Sequence, residues 1–140
     1  PEAGENRVDW EMRLASVLRD CGVEVVALAG FDRVLSLGFL SCFLGRVVNI
    51  HPSLLPDFPG MHAQRQALDH KVTVSGCTVH LVDEGVDSGP ILAVARVPVL
   101  PGDSEQTLSE RILVAENRLY PEALEHWLRS GLGRAPRRGG

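Results

Sequence analysis

Three cysteines in 140 residues are too few and too scattered to organise this chain. Cys21, Cys42 and Cys77 sit in apolar surroundings, are odd in number and show no C-x-x-C spacing. That excludes a disulfide framework and a thiolate metal knot, and it points to reduced thiols in a cytoplasmic setting. His51, His62, His70, His80 and His126 never fall at the H-x-x-x-H spacing of a helical metal site, so no metal is expected. Positive charge is not in surplus: 14 Lys and Arg against 18 Asp and Glu leave a net charge of −4, which argues against a nucleic-acid partner. Long apolar runs are missing as well. The longest fall far short of the roughly 20 residues that cross a bilayer, and no leader is visible, so no membrane association is expected. Repeats, low-complexity blocks and interior linkers are also lacking.

What is present has the balance of a globular protein, with 44% hydrophobic and 23% charged residues, enough for one core. The polar opening 1–8 reads as loose, 9–132 as a single domain, and the basic, Gly- and Pro-rich 133–140 as a disordered tail. A helix is expected from Trp10 to Cys21, with Asp9 as cap and Leu14, Val17, Leu18 and Cys21 as its apolar stripe. Val23 to Ala29, apolar apart from Glu24, reads as a strand buried on both faces. A short helix over Ser36 to Leu44, a second buried strand over Val47 to His51 and a helix over His62 to His70 come next. Thr73 to Asp83 and Ile91 to Val99 read as strands. Asp103 or Ser104 caps a last helix to about Leu119, which Pro121 reopens towards Leu128. Alternating β and α elements predict an α/β fold whose mixed, mainly parallel sheet is flanked by helices.

The most informative stretch is Asn49-Ile50-His51-Pro52-Ser53-Leu54-Leu55-Pro56, together with Asp87 in Val82-Asp83-Glu84-Gly85-Val86-Asp87-Ser88-Gly89-Pro90. Period-two alternation puts Asn49 and His51 on one face at a strand tip. Gly85, Gly89 and Pro90 bracket Asp87 in a turn that can aim it back at His51. An amide, an imidazole and a carboxylate suit acyl transfer, because preorganised donors stabilise the oxyanion that forms when an amine attacks a carbonyl. The same residues also have plain structural readings. Asn at a strand end is a turn former, a lone His is a satisfied core or surface residue, and Asp in a Gly-rich turn is an Asx turn. His80, opposite in phase to Val79 and Leu81, either supports the site or faces solvent.

Across residues 25 to 128 the chain resembles the phosphoribosylglycinamide formyltransferases, folate-dependent enzymes of purine biosynthesis. The resemblance runs in order through Leu28-Ala29-Gly30-Phe31, Asn49 to Pro56, Phe58-Pro59-Gly60-Met61-His62, Gly76 to Asp83, Asp87-Ser88-Gly89-Pro90-Ile91, Val97-Pro98-Val99 and Glu116 to Tyr120-Pro121. It implies transfer of a formyl group from the co-substrate 10-formyltetrahydrofolate to the amine of glycinamide ribonucleotide, without a metal. Asn49 and His51 match the family's N-x-H pair, which stabilises the oxyanion, and Asp87 matches the D-x-G-P aspartate that pairs with the histidine. The same resemblance assigns folate contacts to Arg33, Val34, Leu35, Phe39 and Leu40, and to Asp83, Glu84, Gly85, Val86 and Asp87. It assigns Glu116 to the ribose hydroxyls. Methionyl-tRNA formyltransferase and formyltetrahydrofolate deformylase share the trio, but the Phe58 to His62, Val97 to Val99 and Glu116 to Pro121 segments favour the purine enzyme.

The opening departs from that family. Its initial strand and phosphate-holding loop have no counterpart here, so the expectation is a Rossmann-like fold truncated at its N-terminus, with the folate half of the site present. Two functions are then open: a formyltransferase impaired by that loss, or a catalytically silent module that folds and self-associates while still binding folate. Slow hydrolysis of 10-formyltetrahydrofolate is a third. An edge left unpaired beside Val23 to Ala29 predicts a homodimer.

Overall fold

The computed structural model describes residues 3–30 and 34–130, so Arg33 and the 133–140 tail lie outside the described residues. The chain runs α1 (Arg7–Asp20), β1 (Val26–Leu28), α2 (Leu37–Cys42), β2 (Val47–His51), α3 (Ala63–Asp69), β3 (Val74–Leu81), β4 (Ile91–Pro98) and α4 (Glu105–Arg129). The strands form one sheet in the order β1-β2-β3-β4.

β2 is the spine of the fold. All five of its residues are buried, as a run of Val47-Val48-Asn49-Ile50-His51 demands. Val47 joins a cluster with Ala15 of α1 and Phe39, Leu40 and Phe43 in and beside α2. Its neighbours Val48 and Ile50 join a second cluster with Cys77, Val79 and Val97 of the sheet and Leu108, Ile112, Ala123 and Trp127 of α4. Consecutive strand residues point to opposite faces, so helices cover β2 from both sides.

The sheet is mixed, as expected, but not mainly parallel. β1 pairs parallel with β2, whereas β2–β3 and β3–β4 are antiparallel. The cause is local: nine residues, 82–90, suffice to turn β3 back onto β4, and no crossover helix intervenes. The expectation that Val23 to Ala29 is buried on both faces is also corrected. Only Val26–Leu28 form strand, none of the run is fully buried, and β1 is an edge among the described residues.

Helix phase and length differ too. α1 starts at Arg7, inside the stretch expected to be loose, because Asn6 rather than Asp9 caps it by accepting the Asp9 N–H at 2.9 Å. Its inward stripe is Glu11, Leu14, Ala15 and Leu18, while Val17 and Cys21 are exposed. A buried carboxylate in that stripe is invisible to an apolar pattern. α4 does not break at Pro121; it continues to Arg129, starting from a Ser104–Thr107 capping box. Proline costs a helix one N–H and crowds the carbonyl four residues back. Here Leu108 and Ile112 before it, and Ala123 and Trp127 after it, pack into the same cluster, which holds the helix continuous.

Candidate active site

β2 delivers Asn49 and His51 side by side on one face, and the antiparallel register sets them opposite His80 and Thr78 of β3. The β3–β4 ladder slips at Val79/His80, where His80 pairs with Ile91 and Val79 with Ala93. Such a bulge bends its strand and re-aims the chain beyond it. It leads into the 82–90 loop, tied by Asp83 Oδ1, which accepts both the Gly85 N–H at 2.9 Å and the Ser88 hydroxyl at 2.8 Å. Gly89 packs so closely that a Cβ there would lie 1.7 Å from the Leu81 carbonyl oxygen. Together these contacts turn Asp87 back over β2.

The Asp87 carboxylate lies between two imidazoles. Its Oδ2 is 3.4 Å from His51 Nδ1, its Oδ1 is 3.5 Å from His80 Nε2, and Oδ2 accepts the Gly60 N–H at 2.8 Å. His51 Nε2 is 2.8 Å from the Phe58 carbonyl, which can only accept, so Nε2 carries a hydrogen. That leaves Nδ1 on the side facing Asp87. His80 Nδ1 donates to the Leu81 carbonyl at 3.0 Å, leaving Nε2 towards Asp87. His51, Asn49 and His80 are all buried. Among the described residues, Asn49 Oδ1 has no hydrogen-bond partner.

The loop after β2 is pinned from beneath. Thr78 Oγ1 donates to the Ser53 carbonyl at 2.7 Å and accepts the Leu55 N–H at 3.1 Å. Ser53 Oγ donates to the Asp57 carbonyl, and Phe58 and His62 adopt left-handed φ of 52° and 57°. This path brings the Phe58 carbonyl and the Gly60 N–H onto the His51–Asp87 pair.

These groups border a cleft of about 310 Å³, within the size of small-molecule sites. Asn49, His51, Asp87, Val34, Leu35, Asp83, Gly85 and Val86 all line it, so most residues picked from the sequence meet in one place. Phe39, Leu40, Glu84 and Glu116 do not. Phe39 and Leu40 are buried in the α1–α2 cluster instead, because α2 turns that side inward. Glu84 is exposed and is not part of the lining. Glu116 lies on α4 near Cys77, across the sheet from Thr78 and His80, and burial raises its carboxyl above the usual range. Burial of Cys77, and after it the nearby Glu116 carboxylate, push the Cys77 thiol up to about 11. His80 has two readings in the sequence, support for the site or solvent exposure, and the structure selects the first. Its phase with Thr78 puts it on the right face, but only the pairing with Asn49 sets it beside Asp87. Among the described residues, no His, Cys, Asp and Glu cluster could hold a metal ion, and no helix is long and apolar enough to cross a membrane.

Residues 2–124 match the formyl transferase family. Over 119 residues, 85% of this chain, it is 53% identical to a trifunctional purine biosynthetic protein adenosine-3 of Drosophila pseudoobscura pseudoobscura, of which it covers 9%. It is 50% identical over 119 residues to the phosphoribosylglycinamide formyltransferase of Mycobacterium tuberculosis, covering 85% of this chain and 55% of that protein. Glycinamide ribonucleotide transformylase 1 of Symbiobacterium toebii superposes with a TM-score of 0.85 at 53% identity, over 88% of this chain and 58% of that one. The chain thus spans about half the length of its single-function relatives and a small part of the trifunctional ones. Family match, shared fold and the loops that bring an amide, two imidazoles and a carboxylate together lead to one assignment: this chain belongs to the formyl transferase family.

Proposed function

We propose that this chain transfers a formyl group from 10-formyltetrahydrofolate to the amine of glycinamide ribonucleotide, the substrate named for its relatives. One observation carries the reading: Asp87 sits against His51 in a cleft that the Asn49 carboxamide also lines. The amine nitrogen attacks the formyl carbon, and the carbonyl electrons move onto oxygen. The Asn49 carboxamide N–H donates a hydrogen bond to that oxyanion, and His51, whose Nε2–H is taken up by the Phe58 carbonyl, acts on it through Nδ1. Collapse breaks the bond from the formyl carbon to the folate nitrogen, and the proton lost by the amine ends on that nitrogen. Asp87, 3.4 Å from His51, passes the proton from the amine to the folate nitrogen through a water.

Val34, Leu35, Asp83, Gly85 and Val86 are the folate contacts in this reading, and Arg33, Leu40, Glu84 and the ribose role of Glu116 remain proposals from resemblance. The three free cysteines support a cytoplasmic setting. The unpaired outer edge of β1 among the described residues supports a homodimer, and a sharp monomer boundary in sedimentation at micromolar concentration would remove that part.

Calorimetric titration of a stable 10-formyl folate analogue tests the main reading. Saturable binding, weakened about tenfold or more by Asp87→Asn, is the expected result, since hydrogen bonds to charged groups are worth about 1.5–3 kcal/mol. No binding to a folded protein overturns it. Binding without formyl transfer to glycinamide ribonucleotide selects the silent folate-binding module.

A further inference from the structure

We infer that Glu11, a carboxylate on α1 outside the cleft, is a positioning residue that sets one wall of the folate side of the site. The inference rests on the folate reading above. Glu11 is 1% exposed, and a carboxylate is rarely buried so completely unless something holds it. Its Oε2 accepts the backbone N–H of Ser36 at 3.0 Å, across 25 residues of chain.

Ser36 is the N-cap of α2. Its own hydroxyl accepts the Phe39 N–H at 3.2 Å, and its carbonyl accepts the Leu40 N–H at 3.0 Å. The Ser36 N–H precedes the helix and has no partner within it. Glu11 supplies that partner. Immediately before Ser36 stand Val34 and Leu35, both lining the cleft. Holding the Ser36 amide therefore holds the last peptide of this wall against α1, while the cap on the other side of Ser36 holds it against α2.

Packing alone does not explain a carboxylate here. Leu14, Ala15 and Leu18 make the rest of the inward stripe apolar. Among the described residues, Glu11 Oε1 accepts no hydrogen bond and has only Arg7 Nε at 3.8 Å. A buried charge with an unsatisfied oxygen costs more than an apolar side chain of similar volume. What the carboxylate adds is a directional bond to one backbone amide next to the cleft.

The test uses the intact chain with two readouts: affinity for the stable 10-formyl folate analogue, and hydrogen exchange of the amides from Leu35 to Phe39. Glu11→Ala is expected to weaken the analogue about tenfold and to speed that exchange, in line with loss of a hydrogen bond to a charged acceptor. Glu11→Gln keeps an acceptor oxygen and restores both readouts to within about twofold; Arg7→Ala, which removes only the distant ion pair, leaves both unchanged. A purely structural role lowers the melting temperature of Glu11→Ala but leaves the affinity of the folded protein intact, and that result overturns the inference. So does a Glu11→Gln variant as weak as Glu11→Ala. Should Glu11→Ala fail to fold, Ser36→Pro deletes the same bond from the donor side at a φ of −67° that suits proline, with Ser36→Ala controlling for the lost cap. If the unaltered chain binds no analogue while Glu11→Ala still speeds exchange, the folate reading fails although the anchor is real. If the unaltered chain binds and Glu11→Ala matches it in both readouts, the anchor fails.

Discussion

Replacing Thr78 with valine removes one hydroxyl and keeps the shape of the side chain, so its cost can be worked from two hydrogen bonds. Thr78 is fully buried. Its Oγ1 donates to the Ser53 carbonyl at 2.7 Å and accepts the Leu55 N–H at 3.1 Å. Thr78→Val leaves both backbone groups unpaired in a site water does not reach, at about 1–3 kcal/mol each. Burying a methyl in place of the hydroxyl returns about 0.8 kcal/mol. The net loss is about 1–5 kcal/mol, which lowers the urea midpoint by about 0.5–2.5 M at a slope of about 2 kcal/mol per M. Thr78→Ser keeps the hydroxyl and loses one methyl, for about 1 kcal/mol. Equilibrium unfolding in urea measures both variants, and exchange at the Leu55 amide, faster only in the valine variant, places the loss in the loop after His51. A valine variant within about 0.5 kcal/mol of the parent, or a serine variant as costly as the valine one, refutes the idea that this hydroxyl pins the loop.

Gly89→Ala is expected to weaken the folate analogue about tenfold or more, because its Cβ would fall 1.7 Å from the Leu81 carbonyl oxygen and the loop carrying Asp87 must move. Unchanged affinity in calorimetry would show that the loop tolerates the shift. Asp103 is held well below the usual carboxylate range, first by its hydrogen bonds from Arg111 and then by the Leu100 N–H. A depressed carboxyl contributes stability that is fully present above its unfolded pKa of about 3.9 and is lost as pH falls towards its folded value. Asp103→Asn should therefore flatten the fall in melting temperature below about pH 4, and parallel curves for parent and variant would contradict this. Glu116 is shifted the other way by burial. Its contribution is present below its unfolded pKa and lost as pH rises through the raised folded value, so Glu116→Gln should melt higher than the parent at pH 7 and lose that advantage at about pH 4. A variant no more stable at neutral pH would indicate that the charge is compensated where it sits.

Much of this was legible in order and type. Val47 to His51 is both the expected and the observed second strand, because an apolar run stopped by His51-Pro52 has few alternatives. α3 and β4 fall within one residue of expectation. Less legible were features that depend on partners distant in sequence. β1 reads as doubly buried because every residue of Val25 to Ala29 is apolar, yet burial depends on what lies on each side of the strand, and among the described residues it is an edge. Pro121 reads as a helix break because the local cost is real, and the core contacts that offset it come from other elements. Glu11 escapes a sequence pattern for a related reason: its bond to the Ser36 amide spans 25 residues, and periodicity reports hydrophobicity alone.

The sequence by itself determined which groups could meet: Asn49 and His51 one strand pleat apart, and Asp87 in a turn closed by Gly85, Gly89 and Pro90. Those are local properties, set by side-chain alternation and backbone stereochemistry over a few residues. Tertiary structure alone decided that the register of β2 on β3 brings His80 beside Asn49, that the bulge at Val79/His80 turns Asp87 between two imidazoles, and that Glu116 faces Cys77 instead of the cleft. Register and facing come from which strands pair and which helix covers them, and those choices minimise the free energy of the whole chain, which no short segment encodes.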